Sequence, residues 1–176
     1  MNLLADDFAC FRDEAKFEGR RKPVRFLKRP QILVADIWAC FQGEGYGAFR
    51  DIDKITMFAD YRVPQILNTM GCIYYSPTLN EVVKDKKVIE SGSSWEVQLR
   101  GKTALLNPSL RAQWLTDGKA CSIWCVELIR RDIKRTHPEV EINAILIDFF
   151  LYDLMKELES RGQESIPHHR TRSIWY

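Results

Sequence analysis

The sequence lacks the features that mark three classes of protein. No stretch of about 18 uncharged apolar residues is present, which argues against a transmembrane helix. The N-terminus has no basic segment followed by an apolar core, as a secretory signal would. The formal net charge of +2 is too small to argue for nucleic-acid binding. We therefore expect a soluble cytoplasmic protein, with the nucleus as a second compartment, and no membrane or direct nucleic-acid partner.

Disulfide and metal-binding patterns are also missing. The cysteines are odd in number, five, and scattered along the chain. The closest pair, Cys121 and Cys125, does not have the spacing of a CxxC motif. The three histidines, His137, His168 and His169, lie far from a matching pair of ligands. We expect reduced thiols, no metal and no cofactor.

The residues that are present predict one mainly helical domain. A chain of 176 residues, 45% apolar and with five Trp, can bury a substantial core. Apolar spacing and capping signals predict most of the chain as helix. The predicted helices cover residues 30–41, 51–59 and 121–134, a stretch around Pro64, a stretch after Ser76, and residues 140–159. Alternation of apolar and polar residues at 95–99 predicts the one strand, so any β element should be small.

Three regions follow from composition. Residues 1–29 form a charged N-terminal segment, and residues 30–176 form the helical domain. Residues 102–120 contain turn formers and no clear period, which predicts a long loop within that domain.

Two aspartates interrupt the most apolar stretch of the chain. Asp148 and Asp153 lie within AILIDFFLYDLM, residues 144–155. A carboxylate in apolar surroundings is costly unless it is paired, hydrated or functional. The two are five positions apart on one helix, which places them about 140° apart around its axis, so both could border one cavity. Pairing of each acid with a basic neighbour is the alternative.

Two further stretches carry polar groups suited to a ligand. In FADYR, residues 58–62, Asp60 lies among aromatic residues and precedes a cation. Asp60 is a candidate ligand-binding group, and capping of the helix near Pro64 is its alternative role. The basic tail, residues 168–172, could bind a phosphate, and a solvated surface is the alternative. Lys28 is the best-placed cation of the N-terminal segment for an anionic ligand.

Five runs resemble the queuosine salvage protein family. They are KRPQILVAD (28–36), ITMFADYRVPQ (55–65), CSIWCVELIR (121–130), EINAILID (141–148) and HRTRSIWY (169–176). The runs occur in the family's order. The resemblance implies a queuosine 5'-phosphate N-glycosylase, mostly helical and related in fold to helix-hairpin-helix DNA glycosylases. Such enzymes release queuine, a 7-deazaguanine base, for reuse in tRNA modification.

The resemblance also implies roles for individual residues. Phe58, Asp60, Asp148 and Phe149 would hold the base, and Asp153 would be the catalytic carboxylate. Lys28 would act near the sugar or phosphate. Relatives often have tyrosine in place of Phe149, so stacking would be kept while a hydroxyl contact would be lost.

The resemblance is incomplete at two places. Members of the family are much longer, and the resemblance begins near residue 17 and covers only the C-terminal half of the family's length. The 102–120 stretch has no counterpart in relatives. A non-catalytic chain that binds a queuine-like base is therefore the alternative function. A DNA-repair glycosylase is a third reading, which the small net charge does not favour.

Overall fold

Helices dominate the part of the chain that the computed structural model describes, residues 1–16, 21–100, 122–163 and 165–176. The helices are α1 Asn2–Asp7, α2 Lys28–Cys40, α3 Arg62–Thr69, α4 Pro77–Lys84, α5 Ser94–Arg100, α6 Ser122–Thr136 and α7 Ala144–Ser160. Short 3₁₀ helices cover Ala9–Phe11, Gly45–Gly47 and Ile52–Lys54. The mainly helical class predicted from the sequence is confirmed, whereas the predicted 102–120 loop lies outside the described residues.

Local signals explain where several helices begin and end. Ser76 caps α4 by accepting a hydrogen bond from the Leu79 backbone N–H at 3.3 Å, and Pro77 follows at the first helical position. Asn143 caps α7 in the same way through the Leu146 N–H at 3.0 Å. Gly71, with φ +72°, follows the last turn of α3, where a left-handed residue is favourable.

The predicted strand at residues 95–99 is wrong, because this stretch lies within α5. The Ser93 hydroxyl accepts a hydrogen bond from the Glu96 N–H at 3.3 Å at the start of the helix. Glu96 and Arg100 are both buried and form an ion pair one turn apart. Glu96, a polar position of the 95–99 pattern, therefore does not face solvent, and the alternation does not reflect a strand.

Two other local predictions change. The β element is a two-residue antiparallel pair between β1 Glu14–Ala15 and β2 Val24–Arg25. The helix predicted at 51–59 is limited to the 3₁₀ turn Ile52–Lys54, and residues 55–60 contain no helix. In this non-helical segment, the Thr56 N–H donates to the Gln31 side chain at 2.9 Å. Tertiary hydrogen bonds thus replace those of a helix.

The largest apolar cluster lies where α3 packs on α6 and α7. Val63, Ile66 and Leu67 of α3 are fully buried there, as are Val126 of α6 and Met155 of α7. Each fully buried side chain of this size contributes about 1.5–3 kcal/mol. This packing fixes α7 against the start of α3, and therefore against the segment that precedes α3.

The charged N-terminal segment and the tail both contribute to packing. Val24 and Phe26 are buried against Ala59 and Val97. The Gln65 amide donates to the Ile166 carbonyl at 3.0 Å and holds the tail on α3. The domain boundary that we drew at residue 29 stays a prediction. Among the described residues, no helix combines the length and apolar character needed to cross a bilayer.

Candidate active site

The non-helical segment 55–60 and helix α7 bring three of the expected base-binding residues together. The Phe58 backbone N–H donates to Asp148 Oδ2 at 2.8 Å, across 90 residues of sequence. The rings of Phe58 and Phe149 lie 6.1 Å apart between centroids and are tilted by 57°. Asp148 is 4% exposed. The carboxylate is therefore held inside the protein by the backbone of the facing segment.

Asp60 has the capping geometry that we considered as its alternative role. Its Oδ1 accepts hydrogen bonds from the backbone N–H groups of Arg62 and Val63, both at 3.0 Å. Within the described residues, Oδ2 of Asp60 and Oδ1 of Asp148 accept no hydrogen bond. Each carboxylate thus uses one oxygen for structure and keeps the other unoccupied. Capping and ligand binding are compatible at Asp60.

The third charged group of the cluster is Lys28, the first residue of α2, which is 8% exposed. Burial lowers the pKa of Lys28, and the negative charge of Asp60 opposes that change. Burial also raises the pKa of Asp60, while its hydrogen bonds and Lys28 oppose the rise. Lys28 and Asp60 therefore stabilise each other's charged forms in a weakly solvated place.

Asp148 is the second carboxyl of the cluster with a raised pKa. Burial, and then repulsion by Asp60, raise the pKa of Asp148 to about 8, against the opposing effects of the Phe58 hydrogen bond and Lys28. At neutral pH Asp148 is therefore mostly protonated. Perturbed titratable groups gathered in one place are a frequent property of functional sites.

Asp153 does not join this cluster. It lies on the exposed surface of α7, whereas Asp148 points inward from the same helix. No hydrogen bond or ion pair to the Asp153 side chain occurs among the described residues. The structure thus brings together Lys28, Phe58, Asp60, Asp148 and Phe149 and leaves Asp153 outside. Its catalytic role stays a prediction.

A buried ion network beneath the cluster was missed by the sequence reasoning. Arg100 bonds both carboxylate oxygens of Asp13, and its Nη1 lies 2.9 Å from Asp13 Oδ1. Its Nε donates to the Ala59 carbonyl at 3.2 Å. Asp13 in turn accepts the Lys28 backbone N–H at 3.2 Å. The network therefore connects the backbone at Lys28, where α2 begins, with the backbone at Ala59 in the non-helical segment 55–60. Only the Glu96–Arg100 spacing could have been found in the sequence, and our strand prediction concealed it.

Tyr176 was also missed as a neighbour of the site. Its hydroxyl donates to Glu96 Oε1 at 2.8 Å. Its ring lies 5.4 Å from Lys28 Nζ and is stacked on Tyr61 at 6.3 Å between centroids. The tail therefore forms one wall beside the charged cluster.

Two of the cavities near these elements have linings that fall within the described residues, and neither lining includes a residue of the charged cluster. One, of about 650 Å³, is lined by Tyr61, Val88, residues 168–173 and Tyr176. The other, of about 530 Å³, lies between Trp38, Ile52 and the residues joining α6 to α7. Across the described ranges, no group of three or more His, Cys, Asp or Glu is arranged to hold a metal ion.

Comparison with known proteins decides the family. A family model described as "Queuosine salvage protein" matches residues 1–176. The chain belongs to the queuosine salvage protein family. Because the match starts at residue 1, our expectation that the resemblance begins near residue 17 was wrong.

Relatives of this family carry a common name. The chain is 41% identical to a mouse protein over 181 residues and 43% identical to a Schizosaccharomyces pombe protein over 184 residues. A Sphaerobacter thermophilus protein is 35% identical over 177 residues. All three are called queuosine 5'-phosphate N-glycosylase/hydrolase. Each alignment covers 100% of this chain but only 47%, 46% and 46% of the respective relative, so the chain spans about half their length.

Proposed function

We propose that this chain takes part in hydrolysis of the N-glycosidic bond of queuosine 5'-phosphate, with release of queuine. The observation that carries the proposal is the buried Asp148 carboxyl, held by the Phe58 backbone and gathered with Asp60 and Lys28. The names of relatives over 40% identical support the choice of substrate. Queuine released in this way would be available for tRNA modification.

The two unoccupied carboxylate oxygens suit the polar edge of the base. A guanine-like ring presents an N1–H and an amino group, and both are donors that carboxylate oxygens accept. Asp148 Oδ1 and Asp60 Oδ2 would each accept one of them. The tilted pair of Phe58 and Phe149 would supply the aromatic wall. Since Phe58 and Asp148 are only 5% and 4% exposed, we expect the partly buried Phe149 ring to move when the base enters.

Base recognition would be coupled to loss of a proton. Asp148 accepts a hydrogen bond from the base on its free oxygen only if that oxygen carries no proton. Its pKa of about 8 means that the protonated form is the main one at neutral pH. Ligand binding would therefore displace this proton, with Lys28 stabilising the resulting anion.

Asp153 is our candidate for the catalytic carboxylate. Queuine lacks the N7 lone pair through which an ordinary purine is protonated as it leaves, so stabilisation must act at the sugar. A carboxylate near C1' stabilises the developing positive charge and orients the attacking water. Asp153 is exposed, and solvent weakens such stabilisation. The role thus requires bound substrate, or a further part of a family member, to exclude water there.

An activity assay tests the proposal. The chain, and a fusion to the remaining half of a relative, would be incubated with queuosine 5'-phosphate while free queuine is measured. We expect Asp153→Asn to lower turnover at least about a hundredfold. Asp132→Asn, at another exposed acid on a different helix, is the matched control and should retain activity. Turnover of the Asp153 variant within about threefold of the unmodified protein refutes the catalytic role.

The second candidate is a chain that binds a queuine-like base without catalysis. The exposure of Asp153 and the half-length match favour it. Queuine binding without release of base from queuosine 5'-phosphate, in both the chain and the fusion, would establish this candidate. We also propose that the fold is related to that of helix-hairpin-helix DNA glycosylases. The mainly helical architecture supports this relation.

A further inference from the structure

The larger of the two cavities described above is built on the tail of the chain, and hydrogen bonds from Ile89 and Gln65 hold that tail in place. Residues 168–173 form much of its lining, together with Tyr61, Val88 and Tyr176. The Ile89 N–H donates to the Arg170 carbonyl at 2.7 Å. The Gln65 amide holds Ile166 just before the cavity. The backbone of the tail is therefore held on the packed core, while the side chains of Arg170 and Arg172 are exposed.

The lining of this cavity is cationic. It includes His168, Arg170 and Arg172 and contains no acidic residue. Arg62, nearby, is paired with Glu159 at 2.7 Å, whereas Arg170 and Arg172 form no ion pair among the described residues. Burial lowers the pKa of His168, and the charges of Arg62 and Arg170 lower it further. Glu159 opposes this lowering, but within the described part of the chain it is paired with Arg62, and no carboxylate forms an ion pair with Arg170 or Arg172.

The cavity shares a wall with the carboxylate cluster. Tyr61 lines it and directly follows Asp60 in the sequence. Tyr176 also lines it, and Lys28 Nζ lies 5.4 Å from the centroid of that ring. A ligand with its base at the carboxylates would therefore meet this cavity with its other end. Its volume of about 650 Å³ is ample for a sugar phosphate.

We propose that this cavity is the subsite for the phosphate monoester end of the substrate. Arg170 and Arg172 would supply charge-assisted hydrogen bonds to the phosphate oxygens, and neutral His168 would add one N–H donor. Tyr61 and Tyr176 would pack against the ribose. The inference rests on the proposed function for the identity of the whole ligand, but anion binding at this cavity is measurable without it.

The test uses ribose 5-phosphate, which carries the sugar and phosphate but no base. Its binding to the complete 176-residue chain would be measured by isothermal titration calorimetry, beside ribose alone. We expect saturable binding of ribose 5-phosphate, no detectable binding of ribose, and weakening by added salt. The double substitution Arg170→Gln with Arg172→Gln should weaken the binding of ribose 5-phosphate at least about tenfold, since bonds to charged groups are the strong ones.

A matched control and two outcomes decide the question. Arg135→Gln removes an exposed arginine of α6 outside the cavity lining, and should leave binding unchanged. The proposal is overturned if ribose 5-phosphate fails to saturate at about 10 mM, a concentration well above the dissociation constant of even a weak specific complex. An equal loss in the control variant overturns it too, because net charge alone would then explain binding.

The same titration separates this subsite from the proposed function. Suppose that ribose 5-phosphate binds through the two arginines while queuosine 5'-phosphate is neither bound more tightly nor hydrolysed. The anion subsite is then supported, and the identity of the substrate is wrong. The reverse result, turnover of queuosine 5'-phosphate that both arginine substitutions leave unchanged, supports the function and overturns the subsite.

Discussion

Replacing Asp148 with asparagine should stabilise the protein at alkaline pH and leave it little changed in acid. The pKa of Asp148 rises from an ordinary value of 3.8 to about 8 on folding, chiefly through burial. Between these two values the unfolded chain releases a proton that the folded chain keeps. The stabilisation from Asp148 is thus fully present below pH 3.8 and is lost as the pH rises towards 8.

The size of this effect follows from the difference between the two pKa values. A difference of about four units, at 1.36 kcal/mol per unit, sets an upper limit of about 6 kcal/mol. The charges of Asp60 and Lys28 also act on Asp148, and relaxation of the site around a new charge reduces the cost. We therefore expect about 3 kcal/mol between pH 4.5 and pH 8.5. The asparagine keeps an acceptor for the Phe58 N–H and stays neutral throughout.

Urea denaturation followed by tryptophan fluorescence measures the difference. The free energy of unfolding of Asp148→Asn, minus that of the unmodified protein, should rise by about 3 kcal/mol from pH 4.5 to pH 8.5. Asp153→Asn is the control, since its carboxyl is exposed on the same helix. A difference for Asp148→Asn that changes by less than about 0.5 kcal/mol over this range would refute a raised pKa at this residue.

Three further results are expected. Queuine should bind at least about tenfold more tightly at pH 8.5 than at pH 6.5 in a fluorescence titration, because Asp148 must lose its proton, and pH-independent affinity would contradict this. Asp13→Ala should lower the free energy of unfolding by about 3–5 kcal/mol in urea denaturation, since it leaves the buried Arg100 without its partner; a loss below about 1 kcal/mol would show that the pair is unimportant. Ser76→Ala should cost about 1 kcal/mol by the same measurement through loss of the α4 cap, and Ser76→Asp should retain it.

The helices that the sequence predicted well are those with local signals. The Ser76 cap followed by Pro77 marks the start of α4, as predicted. Helix α7 begins at Ala144 after the Asn143 cap, four residues later than the predicted start at residue 140. These signals act between neighbours in the chain, so they are visible in the sequence. The 95–99 stretch misled the prediction because its polar residue Glu96 is buried, which depends on Arg100 just after the stretch and on Asp13 from a distant segment.

The candidate site likewise has features that the sequence predicted and features that only the structure shows. The apolar context of Asp148 and the aromatic context of Asp60 marked both as unusual acids, and resemblance to a family assigned them to one ligand. No local pattern shows that Asp148 bonds the backbone of Phe58, 90 residues away, or that Asp153 faces solvent. The direction in which a helical side chain points depends on which face the rest of the fold covers.

The sequence by itself thus determined the helical class, several helix boundaries, the family and the residue types of the site. Only the tertiary structure decided which acids meet, because burial and the charges of distant residues set the pKa values of Lys28, Asp60 and Asp148. It also placed the basic tail beside Tyr61 and Lys28, where Arg170 and Arg172, which form no ion pair with any described residue, border a cavity. Solvation and long-range Coulomb interactions depend on distance in space, and the order of residues does not contain that distance.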